Sequence, residues 1–271
     1  MAEGLLLVGC GKMGGAMLRG WIANGADPKI VVVVEPADAL RAGLEGTGVT
    51  VVSSADEIPA GFMPDCVILA VKPQQMLAVT AGYRRFKSSQ TQFLSIAAGT
   101  TIGFFEAELG SDAAIVRTMP NTPAAVGKGM VVACPNANVT DAMKRRAGSL
   151  LAAIGEVAWV DDEALMDAVT AVSGSGPAYV FHLIETLANA GMAAGLPEDL
   201  SKQLALQTVY GAGALARDAE DEPSQLRINV TSPGGTTAAA LEVLMGEDGL
   251  QQLMDRAVAA ATERGRELGK S

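Results

Sequence analysis

The sequence predicts a doubly wound α/β domain with a mostly parallel sheet over residues 1–160, followed by an all-helical domain over residues 161–271. Three observations carry that expectation. From residue 5 to about 160, short β-branched runs alternate with helical stretches, the pattern of parallel strands joined by crossover helices. Gly9-Cys10-Gly11-Lys12-Met13-Gly14 follows the first run and opens a helical pattern through Met17, Leu18 and Trp21. Beyond Val160 the β-branched runs give way to Ala- and Leu-rich segments punctuated by Gly and Pro.

The first strand is expected over 5–8, and the glycine segment after it has the spacing of a dinucleotide-binding turn. There Gly9 permits the tight turn, Gly11 lets the backbone approach a pyrophosphate and Gly14 allows close helix–strand packing. The second strand, 30–34, ends at Glu35, about 20 residues past Gly14, where a carboxylate can accept ribose hydroxyls. Further strands are expected at 49–52, 66–71, 93–96, 115–118, 130–133 and 157–160. Ligands of such sheets lie outside the carboxyl ends of the strands. Those ends carry Gly9 to Gly14, Lys72-Pro73-Gln74, Ala97-Ala98-Gly99-Thr100 and Met119-Pro120-Asn121-Thr122-Pro123, so four loops are expected to converge on one crevice.

In the second half, Gly174-Ser175-Gly176-Pro177 starts a helix, and Gly195-Leu196-Pro197 stops one and starts another. Ser232-Pro233-Gly234-Gly235 precedes a third. The stretch 200–218 places Leu204, Leu206, Val209, Ala212, Ala214 and Leu215 on more than one face. A helix apolar nearly all round needs cover, either from a second subunit or from an Ala-rich core of its own domain.

Composition narrows the function. A hydrophobic content of 49% with 4% aromatics implies cores of Ala, Val, Leu and Met. The net charge of −10 argues against nucleic acid or an anionic membrane as a partner. No segment reads as a signal peptide or a membrane span, and Cys10, Cys66 and Cys134 lack metal-ligand spacing, which points to reduced thiols in the cytoplasm. No His/Asp/Glu/Cys cluster has metal spacing, so no metal is expected. The one histidine, His182, lies in an apolar helical run and reads as a packed side chain rather than a base. What remains is a nicotinamide site whose substrate needs little acid–base help. Lys72 follows a strand and precedes a proline, so it either emerges at the site or is an ordinary surface lysine. Asn121, between Pro120 and Pro123, either holds donors against the nicotinamide or belongs to an ordinary turn. The helix start after Pro233-Gly234-Gly235, with the hydroxyls of Ser232, Thr236 and Thr237, suits a small carboxylate.

The glycine loop, Ala70-Val71-Lys72-Pro73-Gln74, the Met119 to Pro123 segment, the run from Leu165 to Tyr179 and the segment from Val230 to Thr237 together resemble the pyrroline-5-carboxylate reductase family, in the family's order and over almost the whole chain. The resemblance implies a Rossmann domain followed by an all-α dimerisation domain that interlocks with its twofold mate, commonly assembled further into a ring of five dimers. It implies the last step of proline synthesis, reduction of Δ1-pyrroline-5-carboxylate to L-proline by NADPH or NADH. It also implies a cofactor site at Gly9, Gly11, Lys12, Met13, Gly14, Glu35, Ser54, Ala70, Val71, Lys72, Pro73, Ala98 and Asn121, with Thr237 and Lys72 at the reacting centre. The substrate would be held by Glu220, Ser232, Gly234, Gly235, Thr236 and Thr237, with Thr237 at the ring nitrogen. This chain departs from the family at Glu35, where relatives often carry small or hydroxyl residues that leave room for a 2′-phosphate, and at Ser54, where they often carry asparagine. Glu35 either favours NADH or turns to solvent while Arg41 reaches back to the phosphate. The β-hydroxyacid dehydrogenases share this plan but need a lysine after the Gly174–Gly176 segment, where this chain offers Tyr179 and Val180. A non-catalytic NAD(P)-sensing protein would leave Ser232 to Thr237 unexplained.

Overall fold

The computed structural model describes residues 4–269. They form two compact units, one running up to Gly174 and regaining the chain from Ala261 onward, the other Ser175–Ala260. Eight strands make one sheet in the first unit: β1 (Leu5–Val8), β2 (Val31–Val34), β3 (Thr50–Val52), β4 (Cys66–Leu69), β5 (Gln92–Ser95), β6 (Ala114–Met119), β7 (Gly129–Pro135) and β8 (Gly155–Trp159). Their spatial order is β3-β2-β1-β4-β5-β6-β7-β8. All eight fall where the apolar runs predicted them, and the central strands, covered on both faces, read as unbroken hydrophobic stretches. β1, β2, β4 and β5 are buried throughout. β7 runs antiparallel to β6, while β7 and β8 are parallel to each other.

The register decides what meets at the carboxyl edge. Val8 pairs with Val34 on one side and with Leu69 on the other, and Val34 pairs with Val52. Gly9, Glu35, Ala70 and Ser53 therefore leave the sheet at one level. Chain order reverses at β1, whose neighbours β2 and β4 are reached by crossovers in opposite directions, so a ligand crevice belongs there.

Five helices of the unit support the sheet: α1 (Lys12–Ala23), α2 (Asp38–Ala42), α3 (Pro73–Thr80), α4 (Ile102–Leu109) and α5 (Asp141–Ala152). α1 buries Met17, Leu18 and Trp21 against the core, and the Trp21 indole N–H donates to the Leu150 carbonyl at 2.9 Å. The sequence reading placed the break between domains at 160, whereas the compact unit extends to Gly174. A short helix, α6 (Met166–Val169), buries Met166 among the side chains beneath the sheet. Just before it, the Glu163 carboxylate accepts from Arg117 Nη1 at 2.7 Å and from the Ile102 N–H at 2.8 Å. Arg117, on β6, is only 5% exposed. A buried guanidinium requires that partner, which ties the 163–174 stretch to the sheet.

The second unit is helical, with α7 (Gly176–Ala193), α8 (Glu198–Asp218), α9 (Pro223–Asn229), α10 (Thr236–Leu244) and most of α11 (Leu250–Leu268). α7 and α8 pack through small residues: Ala188, Ser201 and Ala205 are buried, and Ser201 Oγ donates to the Ala188 carbonyl at 2.6 Å. A Cβ on Gly191 would lie 2.2 Å from Ser201 Oγ, so only glycine allows this approach. With small residues inside, the large ones face outward: Phe181 is 62% exposed and Leu206 58%, with Tyr210 and Leu215 similar. The helix expected over 200–218 is present, and its large side chains Leu204, Leu206, Tyr210 and Leu215 lie exposed in the single chain.

Candidate active site

A cavity of about 620 Å³ opens at the carboxyl ends of β1 to β4, within the range of small-molecule and cofactor sites. Of the expected cofactor residues, Gly9, Gly11, Glu35, Ser54, Ala70, Val71 and Lys72 line it. The glycine loop has the geometry a dinucleotide needs. Gly9 turns with φ +89°, and a Cβ on Gly14 would lie 2.3 Å from the Gly9 carbonyl oxygen. A Cβ on Gly11 would meet nothing within 4 Å, so it would fill the open space above the first turn of α1. That space, next to the unpaired N–H groups of a helix start, accepts an anion such as a pyrophosphate. Lys12 and Met13 form the first turn of α1 without lining the cavity; Lys12 is exposed and Met13 packs partly on the core.

Glu35 sits at the far end of the loop and is only 5% exposed. Its Oε2 accepts from the Cys10 N–H at 2.7 Å and its Oε1 from the Ala37 N–H at 3.0 Å. The reading in which Glu35 turns to solvent is therefore not realised. Burial first, and the Glu35 charge second, push the Cys10 thiol up to about 11, which leaves it protonated and unreactive near neutrality. Ser54 lines the cavity with no hydrogen-bond partner on its hydroxyl among the described residues. Beside it, Ser53 donates from both N–H and Oγ to the Glu57 carboxylate, at 2.8 and 2.7 Å, which holds Glu57 below its ordinary range. Lys72, the residue before α3, is exposed at the cavity wall.

The loops expected to share one crevice are distributed over adjoining hollows at the carboxyl edge of the sheet. Pro73, Gln74 and Ala98 to Thr100 line a second hollow of about 480 Å³, closed on one side by Gly265, Leu268 and Gly269. Asn121 lines neither hollow. Its Nδ2 donates to the Ser173 carbonyl at 3.1 Å and its Oδ1 accepts from the Met130 N–H at 2.8 Å. The carboxamide is thus engaged in clamping the loop to Ser173 and β7. His182 is also placed differently from the packed side chain expected: it is 72% exposed on its unit, with Nδ1 3.3 Å from Glu185.

The substrate candidates belong to the helical unit. Ser232 to Gly235 form a turn in which the Gly235 N–H donates to the Ser232 carbonyl at 3.0 Å, with Gly234 at φ +69°. α10 then starts with Gly235 in the capping position and no side-chain cap, so the first N–H groups of the helix remain available. The hydroxyls of Ser232, Thr236 and Thr237 have no hydrogen-bond partner among the described residues. Glu220 is exposed between α8 and α9.

Pro36, Ala37, Leu40, Gln75, Val79 and Tyr83, which the sequence does not single out, also line this cavity. Pro36 and Ala37 directly follow Glu35 and were open to inference. Tyr83 and Val79 reach the cavity only through the way α3 and the turn after it pack.

Comparison with known proteins fits this geometry. Residues 163–268 match the family described as pyrroline-5-carboxylate reductase dimerisation, and residues 5–99 match NADP oxidoreductase, coenzyme F420-dependent. The chain is 40% identical to a pyrroline-5-carboxylate reductase of Pseudomonas aeruginosa over 98% of its own length and 97% of the relative's. Among solved structures, the pyrroline-5-carboxylate reductase of Coxiella burnetii superposes with a TM-score of 0.93 at 35% identity, covering 99% of both chains. The Plasmodium falciparum enzyme, solved with NADP bound, gives 0.82 at 32% identity over 98% of both.

Proposed function

The chain belongs to the pyrroline-5-carboxylate reductase family, and on that premise we propose how its residues divide the reduction of Δ1-pyrroline-5-carboxylate to L-proline by NAD(P)H. The dinucleotide supplies a hydride from its nicotinamide ring. The glycine cradle holds its pyrophosphate above Gly11, Glu35 and Ser54 hold the adenosine end, and Ala70, Val71 and Lys72 line the path towards the nicotinamide. The start of α10 holds the substrate carboxylate through Ser232, Gly234, Gly235 and Thr236, and the Thr237 hydroxyl meets the ring nitrogen. Glu220 adds negative charge towards the protonated imine. A protonated C=N is already electrophilic, so alignment and one hydrogen-bonding group near nitrogen suffice, without a strong base.

The observation that carries this reading is the α10 start, with three hydroxyls that have no partner among the described residues and two glycines, where a plain helix cap needs one side chain. Purified protein is expected to oxidise NAD(P)H when given Δ1-pyrroline-5-carboxylate and to turn over 3-hydroxyisobutyrate or 6-phosphogluconate hardly at all. Comparable rates with the hydroxy acids would overturn it.

The helical unit is the dimerisation surface in this proposal, its outward Phe181, Leu206, Tyr210 and Leu215 being covered by a second copy. Light scattering at micromolar concentration is expected to give a dimer or a ring of five dimers, and a monomer mass would refute it. Three buried, unpaired cysteines suit the reducing cytoplasm, where the enzyme is placed. Among the described residues no helix is long and apolar enough to cross a membrane.

A further inference from the structure

We infer that Glu35 makes this chain selective for NADH: its carboxylate is a fixed acceptor for the adenosine ribose hydroxyls and a barrier to a 2′-phosphate. The inference rests on reading the cavity of about 620 Å³ as the dinucleotide site. Sheet register puts Glu35 one residue beyond Val34, beside Gly9, which itself follows Val8. This is the place where an acidic side chain meets the ribose of a dinucleotide whose pyrophosphate lies on the neighbouring glycine loop.

The side chain is locked there from two directions. Oε2 accepts from the Cys10 N–H at 2.7 Å, inside the glycine loop, and Oε1 from the Ala37 N–H at 3.0 Å, in the loop after β2. A flexible glutamate could rotate away and admit a phosphate. This one is 5% exposed, and rotation would strip both N–H groups of their acceptor. Each carboxylate oxygen can accept more than one hydrogen bond, so both retain acceptor capacity for ribose hydroxyls. A 2′-phosphate at that position would bring like charge against a carboxylate shielded from water.

Among the described residues no arginine lines the cavity, and the cations nearest its adenosine end are engaged elsewhere. Arg41, the candidate for offsetting a 2′-phosphate, donates from Nη1 to the Glu35 and Pro36 carbonyls at 2.9 and 2.6 Å, and pairs with Asp38 through Nη2. It lines a different surface hollow, together with Asp38 and Glu45. Arg85 donates to the Ala55 carbonyl and lies 3.9 Å from Asp56. The charged residues on the cavity wall are Glu35, Asp56 and Lys72. Lys72 follows β4, on the opposite side of β1 from β2 and Glu35. The adenosine end is thus acidic.

The test is direct binding to the cofactor-free protein, by calorimetry with NADH, NADPH, ADP and adenosine 2′,5′-bisphosphate, alongside kcat/KM for both reduced dinucleotides. NADH is expected to bind at least about tenfold more tightly than NADPH. ADP should exceed the 2′-phosphorylated probe by a similar factor. Glu35→Ser should move the NADH-to-NADPH ratio towards NADPH by about tenfold or more. Glu35→Gln keeps the side chain's size and removes its charge, and should shift the ratio in the same direction. Equal or tighter NADPH binding by the wild type, or a ratio unmoved in both variants, overturns the inference while leaving the cavity as the dinucleotide site. Failure of every nucleotide to bind overturns the site itself. If neither variant folds, as thermal unfolding would reveal, the wild-type preferences among the four ligands decide alone.

Discussion

Gly11→Ala is expected to remove most dinucleotide affinity at an unchanged Tm, whereas Gly14→Ala is expected to lower both. The two glycines lie three residues apart but answer to different constraints. A methyl group on Gly14 would sit 2.3 Å from the Gly9 carbonyl oxygen and 3.3 Å from Ala70 Cβ, so α1 would have to move off the strands it packs on. Overpacking of this kind costs about 1–3 kcal/mol and would spoil the turn that presents the loop. Gly11 has a φ of −67°, which any residue adopts, and its added Cβ would touch no protein atom within 4 Å. Glycine is needed there only if something approaches the backbone from the cavity. Binding followed by nicotinamide fluorescence should fall by about tenfold or more in Gly11→Ala. Wild-type affinity in that variant would mean that the phosphates do not pass above Gly11, and the cradle assignment would fall.

Thr237→Ala is expected to lower kcat/KM for the imine by at least about tenfold while leaving the dinucleotide Kd within about twofold. Thr237 is half-buried in the first turn of α10, and its hydroxyl has no hydrogen-bond partner among the described residues. One neutral hydrogen bond is worth about 0.5–1.5 kcal/mol, and more is lost when it also orients the reacting ring. Thr237→Ser keeps the hydroxyl and should recover most of the activity. A kcat/KM unaffected by the alanine change would remove Thr237 from the site.

The sheet was legible because its strands are covered on both faces. Runs such as Leu5 to Val8 and Cys66 to Leu69 are apolar without alternation, and turn residues bound them. The fourth strand was read two residues too long, since Ala70 and Val71 continue the apolar run but turn out to line the cavity. The antiparallel pairing of β7 with β6 left no trace in composition. The first compact unit runs on past residue 160 because of the tie between Arg117 and Glu163, which spans 46 residues and which neither side chain signals in the sequence. The site divides in the same way. Gly9 and Gly14 were legible because a positive φ and close backbone approach leave only glycine possible, and Gly11 by its spacing between them. The clamp by Asn121, and the two N–H groups that fix Glu35, depend on which loops the register brings together, which local sequence does not record.

Hydride delivery to the C=N carbon of Δ1-pyrroline-5-carboxylate is tested most directly with dinucleotide carrying deuterium at both positions of the nicotinamide C4, followed by mass spectrometry of the product. The expected product is L-proline carrying the deuterium at C5, the former imine carbon, formed at the rate at which the dinucleotide is oxidised. Oxidation of the dinucleotide without labelled proline, or no reaction with this imine from either NADH or NADPH, would contradict it.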